Sequence, residues 1–490
     1  MLESKIQSIS NSYFSRNSSD SARPSIPFIK PIFTNPDTPI KGLPANFPQR
    51  LFPPPLPDLG TLTTESLSGE SFKDWQPKGI LVAHLYEHKG SVNQIQVSKD
   101  NMFFVSGSDD GSIKVWDSMR LEKNVTNRSR CTYSQGGKIK SLCILENSHS
   151  IASGSDNGSI HIYRVDYTTK KDSALHRYTG LTTIKNIESS EGAIIGLDHF
   201  NNDTQSLLVY ATSKGKIHSW DLRSKQEPWV LNNAANLGLL TSFVIEPGKN
   251  WLVTGTGSGF FTCWDMRFQI PVKTWRHFSK SKIYKLASYN SGNSQFRSCI
   301  FATAGNTNEF SVWDVETASC KQLFRILSPS DNSTVIPNVK SIDTEISLLN
   351  YGMEELQNPI VPQISNVGVK AFLNPPHSNY LLTGGDDRRI RYWDLNSAMN
   401  SYTVCGISSE QSKPRYGSHV SDNISVYQEV STIPSLLEDP NTHHLLNPAK
   451  AGPASPSVNH HESILDLKLL ELPHRMLISA GRDGVVKVWK

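Results

Sequence analysis

Short apolar runs, paired around tight polar turns, recur along the chain from Gly79 to its end. Each repeat holds a strand of small residues, a turn, and a second strand that ends in an aromatic residue, usually as Trp-Asp. Several of the turns are Asp-Gly or Asn-Gly, which accept the positive φ that a two-residue hairpin requires. The pattern predicts seven β-hairpins: VSGSDDGSIKVWD (105–117), ASGSDNGSIHIYR (152–164), ATSKGKIHSWDLR (211–223), VTGTGSGFFTCWDMR (253–267), ATAGNTNEFSVWDV (302–315), LTGGDDRRIRYWDL (382–395) and ISAGRDGVVKVWK (478–490).

Further apolar stretches flank the hairpins, so each repeat holds four strands. SVNQIQVS (91–98) precedes one hairpin, and SYTVCG (401–406) follows another. Ile113, Val115 and Trp116 make both faces of their strand apolar, which suits a sheet packed between neighbouring sheets. Seven four-stranded repeats resemble the WD-repeat β-propeller, in which blades circle a channel. The expected fold class is therefore all-β: a seven-bladed WD-repeat β-propeller, closed by an N-terminal strand and preceded by a Ser/Pro-rich irregular segment.

The same pattern divides the chain into two regions. Residues 1–77 are rich in Ser, Pro and Asn without an apolar period, which predicts a flexible linker or a strap pinned to a neighbour. Residues 78–490 hold the propeller, and two low-regularity inserts, 328–368 and 407–459, account for most of its excess length over ~40–45 residues per blade. Long inserts are functional loops or plain solvated ones. Neither contains a Trp or an Asp-Gly turn, which disfavours a hidden eighth blade.

The two ends of the propeller region complete one another. The last repeat lacks an outer strand, whereas GILVAHLYEH (79–88) is a strand without a repeat of its own. Pairing between these two strands closes the ring and leaves neither edge exposed. The residues expected to form this closure are Ile80, Val82, His84, Val486 and Val488.

Composition excludes several classes of function. Lys plus Arg number 49 and Asp plus Glu number 45, a balance too weak to predict binding to nucleic acid or to an anionic membrane. Six scattered cysteines without a Cys-x-x-Cys pair indicate reduced thiols in an intracellular protein. No apolar run approaches the ~20 residues of a membrane-spanning helix, so the chain is expected to be soluble.

Polar residues at fixed places in the repeats match the structural tetrad of WD-repeat proteins. A buried indole N–H needs an acceptor, a hydroxyl can accept and donate, and a His held by an Asp completes the chain. A Ser-His-Asp set also suggests a hydrolase, but the set recurs in more than one repeat, whereas an enzyme needs one site. Repeat 2 departs from the set with Asn157 and Tyr163, and repeats 3 to 5 lack part of it. The predicted tetrads are His88, Ser106, Asp110 and Trp116 in the first blade and His460, Ser479, Asp483 and Trp489 in the last.

Arginines and histidines supply the remaining candidate sites. Arg223 and Arg267 end Trp-Asp-x-Arg motifs, which resemble the docking box of substrate receptors of cullin-type ubiquitin ligases; each could instead pair with a nearby carboxylate. The run DDRRIRYWD (386–394) is interpreted as a solvated hairpin, with an acidic-partner contact as the alternative, and Arg388 and Arg389 are expected at the same rim as the two inserts. The pairs at 443–444 and 460–461 are two adjacent His each, without further ligands, so neither a metal nor a cofactor is predicted.

Longer segments resemble one particular family. LVAHLYEHKGSVNQIQVS, YATSKGKIHSWDLRS and above all CWDMRFQIPV, which runs beyond the generic repeat, are similar to the regulatory, protein-kinase-like subunit of the class III phosphatidylinositol 3-kinase complex, which acts in vacuolar protein sorting. The resemblance covers roughly residues 78–490. It implies that a kinase-like domain and helical repeats precede the propeller in the natural protein. This sequence contains no Gly-rich loop with its Lys, no His-Arg-Asp and no Asp-Phe-Gly, so no kinase activity is expected of this chain.

The resemblance also implies a function. It is that of a non-catalytic scaffold beside the phosphatidylinositol 3-kinase catalytic subunit and Beclin-like coiled-coil subunits, in endosomal or vacuolar sorting and autophagy. The expected location is cytoplasmic and peripheral on endosomal, vacuolar or autophagic membranes, with membrane contact only through the complex. A substrate receptor of a cullin-type ubiquitin ligase is the alternative.

Overall fold

Four-stranded antiparallel sheets, arranged as the blades of a propeller, account for nearly all of the described chain. The computed structural model describes residues 75–122, 127–167, 176–289, 299–304, 308–327, 368–376, 378–406, 414–421, 423–430 and 458–490. All of them belong to one unit, Arg50–Lys490. The predicted all-β, seven-bladed fold is confirmed, and the described residues contain no α-helix. Short 3-10 turns occur at Ser118–Arg120, Ser189–Glu191, Ala235–Leu237 and Ala398–Asn400.

Blades 1 to 4 follow one another along the chain, each with its innermost strand first. Blade 1 contains β2 (Val92–Val97), β3 (Phe103–Ser108), β4 (Ser112–Asp117) and β5 (Cys131–Ser134). Blade 2 contains β6 (Ile139–Ile144), β7 (Ser150–Ser155), β8 (Ser159–Tyr167) and β9 (His176–Asn186). Blade 3 contains β10 (Ile194–Asn201), β11 (Ser206–Thr212), β12 (Lys216–Asp221) and β13 (Val230–Asn232). Blade 4 contains β14 (Leu240–Ile245), β15 (Trp251–Thr256), β16 (Phe260–Asp265) and β17 (Ile270–Arg276).

Blades 5 to 7 include both departures from simple chain order. Blade 5 contains β18 (Ile283–Ser288), β19 (Cys299–Ala304), β20 (Glu309–Asp314) and β21 (Ser319–Leu327), extended by β27 (Ile424–Val430) and β26 (Arg415–Ser421). Blade 6 contains β22 (Val369–Leu373), β23 (Tyr380–Gly385), β24 (Ile390–Asp394) and β25 (Tyr402–Cys405). Blade 7 contains β28 (Ile464–Leu470), β29 (Met476–Gly481) and β30 (Val486–Trp489), with β1 (Leu81–Leu85) as its outer strand.

The predicted closure of the ring is confirmed in blade 7. β1 pairs antiparallel with β30, and His84 lies opposite Lys487 while Ala83 lies opposite Val488. Ile80 precedes the strand, yet its backbone exchanges hydrogen bonds with Lys490 over 2.8 and 3.0 Å. Val82 falls at an irregularity of the ladder and has no partner in the register. The two ends of the propeller therefore share one sheet.

The segment before β1 also contacts the neighbouring blade. The Tyr402 hydroxyl donates to the Pro77 carbonyl over 2.8 Å, and Trp75 packs with the cluster that contains Tyr402 and Val404. A Cβ at Gly79 would stand 2.1 Å from the Val404 carbonyl oxygen, so glycine is needed for this close approach. The closing strand is thus held on blade 6 as well as on blade 7.

The insert at 407–459 is not irregular where the structure describes it. β26 and β27 form an antiparallel hairpin, and β27 pairs in parallel with β21 from Gln322 opposite Ser425 to Leu327 opposite Val430. The chain leaves blade 6 and returns to blade 5 before it starts blade 7. Of the two alternatives, a functional or a plain solvated loop, the solvated one does not fit this part of the insert, because Tyr427 stacks on Phe324 and Glu429 is fully buried. The insert at 328–368 lies outside the described residues, apart from Gly368.

The core lies between neighbouring blades, as the two-faced apolar strands predict. In four blades a glycine of the second strand faces an isoleucine of the next blade's first strand, so that the sheets approach closely. A Cβ on Gly107, for example, would stand 2.7 Å from Ile139 Cγ2. The four pairs are Gly107 with Ile139, Gly154 with Ile194, Gly255 with Ile283, and Gly384 with Ile464.

Candidate functional site

The four predicted tetrad residues of blade 1 lie together in a hydrogen-bonded chain. The Trp116 indole N–H donates to Ser106 Oγ over 2.8 Å, and Ser106 Oγ lies 2.8 Å from His88 Nε2. His88 Nδ1 lies 3.1 Å from Asp110 Oδ2. Burial alone would raise the pKa of Asp110, but hydrogen bonds from His88, Ser112 and the Lys89 backbone outweigh it and hold this pKa well below its usual range.

The tetrad of blade 7 has the same series of hydrogen bonds. Trp489 Nε1 donates to Ser479 Oγ over 2.9 Å, and Ser479 Oγ lies 2.8 Å from His460 Nε2. His460 Nδ1 lies 3.1 Å from Asp483 Oδ2. Burial lowers the pKa of His460, and Asp483 opposes this only in part.

These chains place Ser, His and Asp in the order of a hydrolase triad, but they cannot act on a substrate. Ser106 and Ser479 are fully buried, and each hydroxyl already accepts the indole N–H of its tryptophan. A nucleophile must be reachable by the group that it attacks. The tetrads therefore serve to satisfy buried polar groups and to join the strands of a blade.

In other blades different residues accept the hydrogen bond of the buried indole N–H. In blade 5 the serine has moved to the third strand: Trp313 Nε1 donates to Ser311 Oγ over 2.8 Å, and His277 Nε2 lies 3.2 Å from that oxygen. In blade 6 the Trp393 indole donates to Thr383 Oγ1 over 2.9 Å. The composition of the repeats indicated that blades 3 to 5 depart from the set, but not which residues stand in.

Blade 3 replaces the tetrad with a cluster of charges. His218 lies with Nε2 2.9 Å from Glu191 Oε2 and with Nδ1 3.1 Å from Glu227 Oε2, and its ring stacks on Tyr210. Burial would raise the pKa of Glu227, but hydrogen bonds from Lys185, Tyr210 and His218 lower it to about 2. The cluster ties three segments of blade 3 together through ionic hydrogen bonds.

The two Trp-Asp-x-Arg motifs adopt the same turn. In each motif the Asp accepts the backbone N–H of the Arg, at 2.9 Å for Asp265 with Arg267 and at 3.1 Å for Asp221 with Arg223. The Arg267 guanidinium then folds back on Asp265, with Nη2 to Oδ2 at 2.7 Å and Nε to Oδ1 at 3.2 Å. Arg267 is thus paired with the carboxylate of its own motif.

The run DDRRIRYWD is not the solvated hairpin that the sequence predicted. Arg391 is almost fully buried; its Nε lies 2.5 Å from Glu429 Oε2, and its Nη2 lies 3.0 Å from Glu429 Oε1 and 2.5 Å from Asp387 Oδ2. Arg389 is also buried, with Nη1 4.0 Å from Glu429 Oε1. Arg388 occupies the turn with a φ of 65° and is half-buried. The acidic contact exists, but the acid comes from the chain's own hairpin.

Glu429 also accepts a hydrogen bond from the hairpin itself. The Tyr416 hydroxyl donates to Glu429 Oε2 over 2.7 Å, and the Tyr416 ring packs edge-on against Trp393 of blade 6. Burial lowers the pKa of Arg391, whereas the carboxylates of Asp387 and Glu429 raise it. The carboxylates have the larger effect, so the pKa of Arg391 lies well above its usual value. The hairpin therefore bridges blade 5, to which it is paired, and blade 6, which it contacts through charge.

The channel-facing strands are linked across the ring by one carboxylate. Asp466 on β28 accepts the Ile95 backbone N–H of blade 1 over 2.9 Å and lies 2.5 Å from Lys285 Nζ of blade 5. Three blades thus share a single side chain.

Neither a metal site nor a membrane-spanning helix appears in the part of the chain that the structure describes. His460 belongs to a tetrad, and the pair at 443–444 lies outside the described residues. No cluster of three or more potential ligands is found among the described residues. No helix within them has the length and apolar character needed to cross a membrane.

Comparison with known proteins agrees with this geometry. The family of the WD domain, G-beta repeat, matches residues 79–117, 128–164 and 364–394, which lie in blades 1, 2 and 6 and include β1. The probable serine/threonine-protein kinase vps15 of Dictyostelium discoideum is 36% identical over 85% of the chain, which corresponds to 26% of the relative. The serine/threonine-protein kinase VPS15 of Arabidopsis thaliana is 34% identical over 87% of the chain and 29% of the relative. The chain is a WD-repeat propeller homologous to VPS15.

More distant VPS15 proteins match over a similar share. The VPS15 of Saccharomyces cerevisiae is 21% identical over 84% of the chain and 27% of its own length. The chain thus spans about a quarter of the length of these VPS15 relatives. Within the chain, the segments that match the WD-repeat family lie at residues 79–117, 128–164 and 364–394.

Proposed function

We propose that this propeller is the docking scaffold of a VPS15-type regulatory subunit in a class III phosphatidylinositol 3-kinase complex. Homology to VPS15 over 85% of the chain supports this role. So does the architecture: a ring closed by β1 and cross-linked by Asp466 gives rigid support to the turns between its strands. Binding residues are concentrated on such turns, because a rigid scaffold fixes them without an entropic cost on binding.

The proposed partners are the lipid kinase catalytic subunit and Beclin-like coiled-coil subunits. The complex would hold the propeller at endosomal, vacuolar or autophagic membranes, where it serves protein sorting and autophagy. Contact with the membrane would pass through the other subunits. This proposal is supported by the similarity to VPS15 proteins.

The single observation that carries the proposal is the extent of the match to VPS15. It extends over 85% of the chain, whereas the general WD-repeat family matches three shorter segments. The ubiquitin-ligase alternative rests on two short motifs, and in one of them Arg267 is already paired with Asp265.

A binding experiment tests the proposal. Purified propeller, residues 75–490, is mixed with the purified lipid kinase subunit and with the coiled-coil subunits, and cross-linked residue pairs are mapped by mass spectrometry. Retention of at least one subunit by the propeller is the expected result. Propeller that retains none of them, or that retains only a cullin adaptor lost on Arg223→Ala with Arg267→Ala, would contradict the scaffold role.

A further inference from the structure

The turn and outer strand of blade 4 expose apolar side chains that the fold does not require. Residues 267–272 are all exposed, and among them Phe268 is 69%, Ile270 52% and Val272 62% exposed. These three residues and β17 are called the blade 4 edge below. They lie within CWDMRFQIPV, the stretch that runs beyond the generic repeat. Adjacent exposed apolar residues mark interaction surfaces more often than single ones.

The turn between the third and fourth strands has the same backbone conformation in blade 5, where its side chains are polar. Asp265 Oδ1 accepts the N–H groups of Arg267 and Phe268, as Asp314 Oδ1 accepts those of Glu316 and Thr317. Gln269 and Ala318 then both adopt positive φ, 60° and 54°. In the register of the two sheets, Phe268, Ile270 and Val272 correspond to Thr317, Ser319 and Lys321.

This correspondence shows that the apolar side chains of blade 4 are not needed for its fold. Since Thr, Ser and Lys satisfy the turn and the bulged strand start in blade 5, nothing in the backbone calls for Phe, Ile and Val in blade 4. Phe268 contacts the guanidinium of Arg267, with Cζ 5.6 Å from the ring centre, but remains mostly open to solvent. The apolar residues at the blade 4 edge are therefore available to a partner.

Blade 5 also shows how such an edge is covered. The outer strand β21 pairs in parallel with β27 from Gln322 onward. Gln322 corresponds to Lys273 of β17, since each is the first paired residue after the same irregularity. β17 is an edge strand among the described residues, because no strand pairs on its outer side. An added strand is thus a demonstrated solution for this edge in the same ring.

The charges near β17 indicate the chemistry of a strand that could pair with it. From Met266 to Lys285 the chain contains six Lys or Arg and no Asp or Glu: Arg267, Lys273, Arg276, Lys280, Lys282 and Lys285. Arg267 and Lys285 are paired with Asp265 and Asp466, whereas Lys280 and Lys282 are exposed at the far end of β17. The apolar end and the basic end lie roughly 20 Å apart along a seven-residue strand.

We propose that the blade 4 edge binds an extended segment of a partner protein, which adds to β17 as β27 adds to β21. In this parallel arrangement the segment carries apolar residues first, against Phe268, Ile270 and Val272, and acidic residues later, against the basic end. Main-chain hydrogen bonds supply affinity and the side chains supply specificity, as in other cases of strand addition. The inference rests on the proposed scaffold function, since it assigns one docking site of that scaffold.

A protein partner fits this surface better than a lipid membrane. The cations nearest to the apolar residues are engaged within the chain: Arg267 binds Asp265, and Lys273 Nζ donates to the Glu316 carbonyl over 3.1 Å. Anionic lipids would need those charges free. The membrane is therefore an outcome for the test to exclude.

A swap variant tests the inference without disturbing the fold. Phe268→Thr, Ile270→Ser and Val272→Lys give blade 4 the residues that blade 5 already uses. The matched control, Tyr86→Thr with Met399→Ser, removes exposed apolar residues from blades 7 and 6. Both variants are placed in the full-length VPS15-type protein and titrated with the purified lipid kinase subunit and with the coiled-coil subunits.

The swap should weaken the binding of one subunit about tenfold or more, and the control should leave it within about twofold. Hydrogen exchange should show β17 amides at 273–276 protected on complex formation in the wild type but not in the swap. A photo-crosslinking residue at position 268 should label a segment whose apolar residues precede acidic ones.

Three results would overturn the inference. If the swap binds every subunit as the wild type does and position 268 labels none of them, the edge is not a docking site, although the scaffold function stands. If the swap instead loses binding to vesicles of phosphatidylcholine and phosphatidylserine, the edge contacts lipid. If the wild type itself binds no subunit, the scaffold function and the inference fail together.

Discussion

Arg391 and Glu429, 38 residues apart in the chain, form a two-point ion pair that is closed off from solvent on both sides. Arg391 belongs to the third strand of blade 6, and Glu429 belongs to the strand that the later hairpin adds to blade 5. Such a pair joins blades 5 and 6 by charge in addition to their apolar packing. Because both groups are desolvated, each depends on the other for its hydrogen bonds.

Removing one partner of this pair should destabilise the ring strongly. Glu429→Gln leaves the Arg391 charge buried beside Asp387 alone, which should lower the free energy of unfolding by about 3–5 kcal/mol. Tyr416→Phe, which removes the hydroxyl that bonds Glu429 and Thr403 but leaves the ion pair in place, should cost about 1–2 kcal/mol. Urea unfolding followed by tryptophan fluorescence measures both. Exposed Glu316→Gln is the control, and a Glu429→Gln loss no larger than that of the control would contradict a structural role for the pair.

Deletion of residues 79–86 should open the ring. It removes β1, uncovers the outer side of β30 and takes buried Ala83 and Leu85 out of the blade 7 core. A marked fall in Tm, by well over ten degrees, is expected of the propeller in calorimetry, since loss of a strand exposes far more apolar surface than a point mutation. Tyr86→Ser, at the 70% exposed end of the same segment, should leave Tm almost unchanged. A deletion that melts within a degree or two of the intact chain would refute the closure.

The two complete tetrads should respond alike to loss of their serines. Ser106→Ala and Ser479→Ala each remove the acceptor of a buried indole N–H and a partner of a buried histidine. A cost of about 2–4 kcal/mol is expected for each, from unsatisfied buried groups. Ser224→Ala, on an exposed turn, serves as the comparison. Thermal and urea unfolding give the answer, and a cost below about 0.5 kcal/mol for both buried variants would show that the tetrads do not stabilise the blades.

Acid should destabilise the propeller through its buried histidines. Burial lowers the pKa of His199 to about 4 and that of His277 to about 3. In each ring Nδ1 accepts a backbone N–H, from Glu146 and Ser279 respectively, so a proton there would break a hydrogen bond. The unfolded chain takes up these protons near pH 6.5. Since the unfolded state binds more protons between pH 6.5 and about 4, stability should fall as pH falls through this window, by about 1.4 kcal/mol per pH unit for each histidine.

His277→Gln isolates one contribution to this pH dependence. The variant should be less stable at pH 7 because packing is lost, but its further loss between pH 6.5 and 5 should be smaller than that of the wild type by about 2 kcal/mol. Substitution of the exposed His419 by Gln provides the control. Equal slopes for wild type and His277→Gln in urea titrations would show that His277 is not held neutral in the folded state.

Repetition made the propeller predictable, whereas the hairpin carried no repeated signal. The repeat recurs seven times, and most copies keep the small-residue strand and the Trp-Asp end, so each repeat supports the interpretation of the others. β26 and β27 occur once, without a Trp-Asp end, and their turn is formed by Asn423 in a positive-φ conformation of 64°. The alternation of ISVYQEV is a strand pattern, but parallel pairing with β21 places its partner about a hundred residues earlier in the chain, beyond any local pattern.

Chemistry was harder to place than architecture. The complete tetrads could be aligned position by position, but in blade 5 the serine, Ser311, lies two residues before Trp313 on the same strand and accepts its indole N–H from there. Arg391 looked solvated because its acidic partner is supplied by the hairpin. The Arg391–Glu429 contact crosses from one strand to another that is distant in sequence, which spacing along one strand does not reveal.

The return of the chain to blade 5 after blade 6 affects how the molecule can be synthesised and divided. A ribosome that has released everything up to Cys405 has produced all four ordinary strands of blade 5, yet that blade still lacks its added strand, and Arg391 has Asp387 but not Glu429 beside it. Residues 424–490 then supply the strand β27, Glu429 and the whole of blade 7 except β1. Fragments cut between blades 6 and 7 should therefore be poor folding units, and expression boundaries are best kept outside the ring.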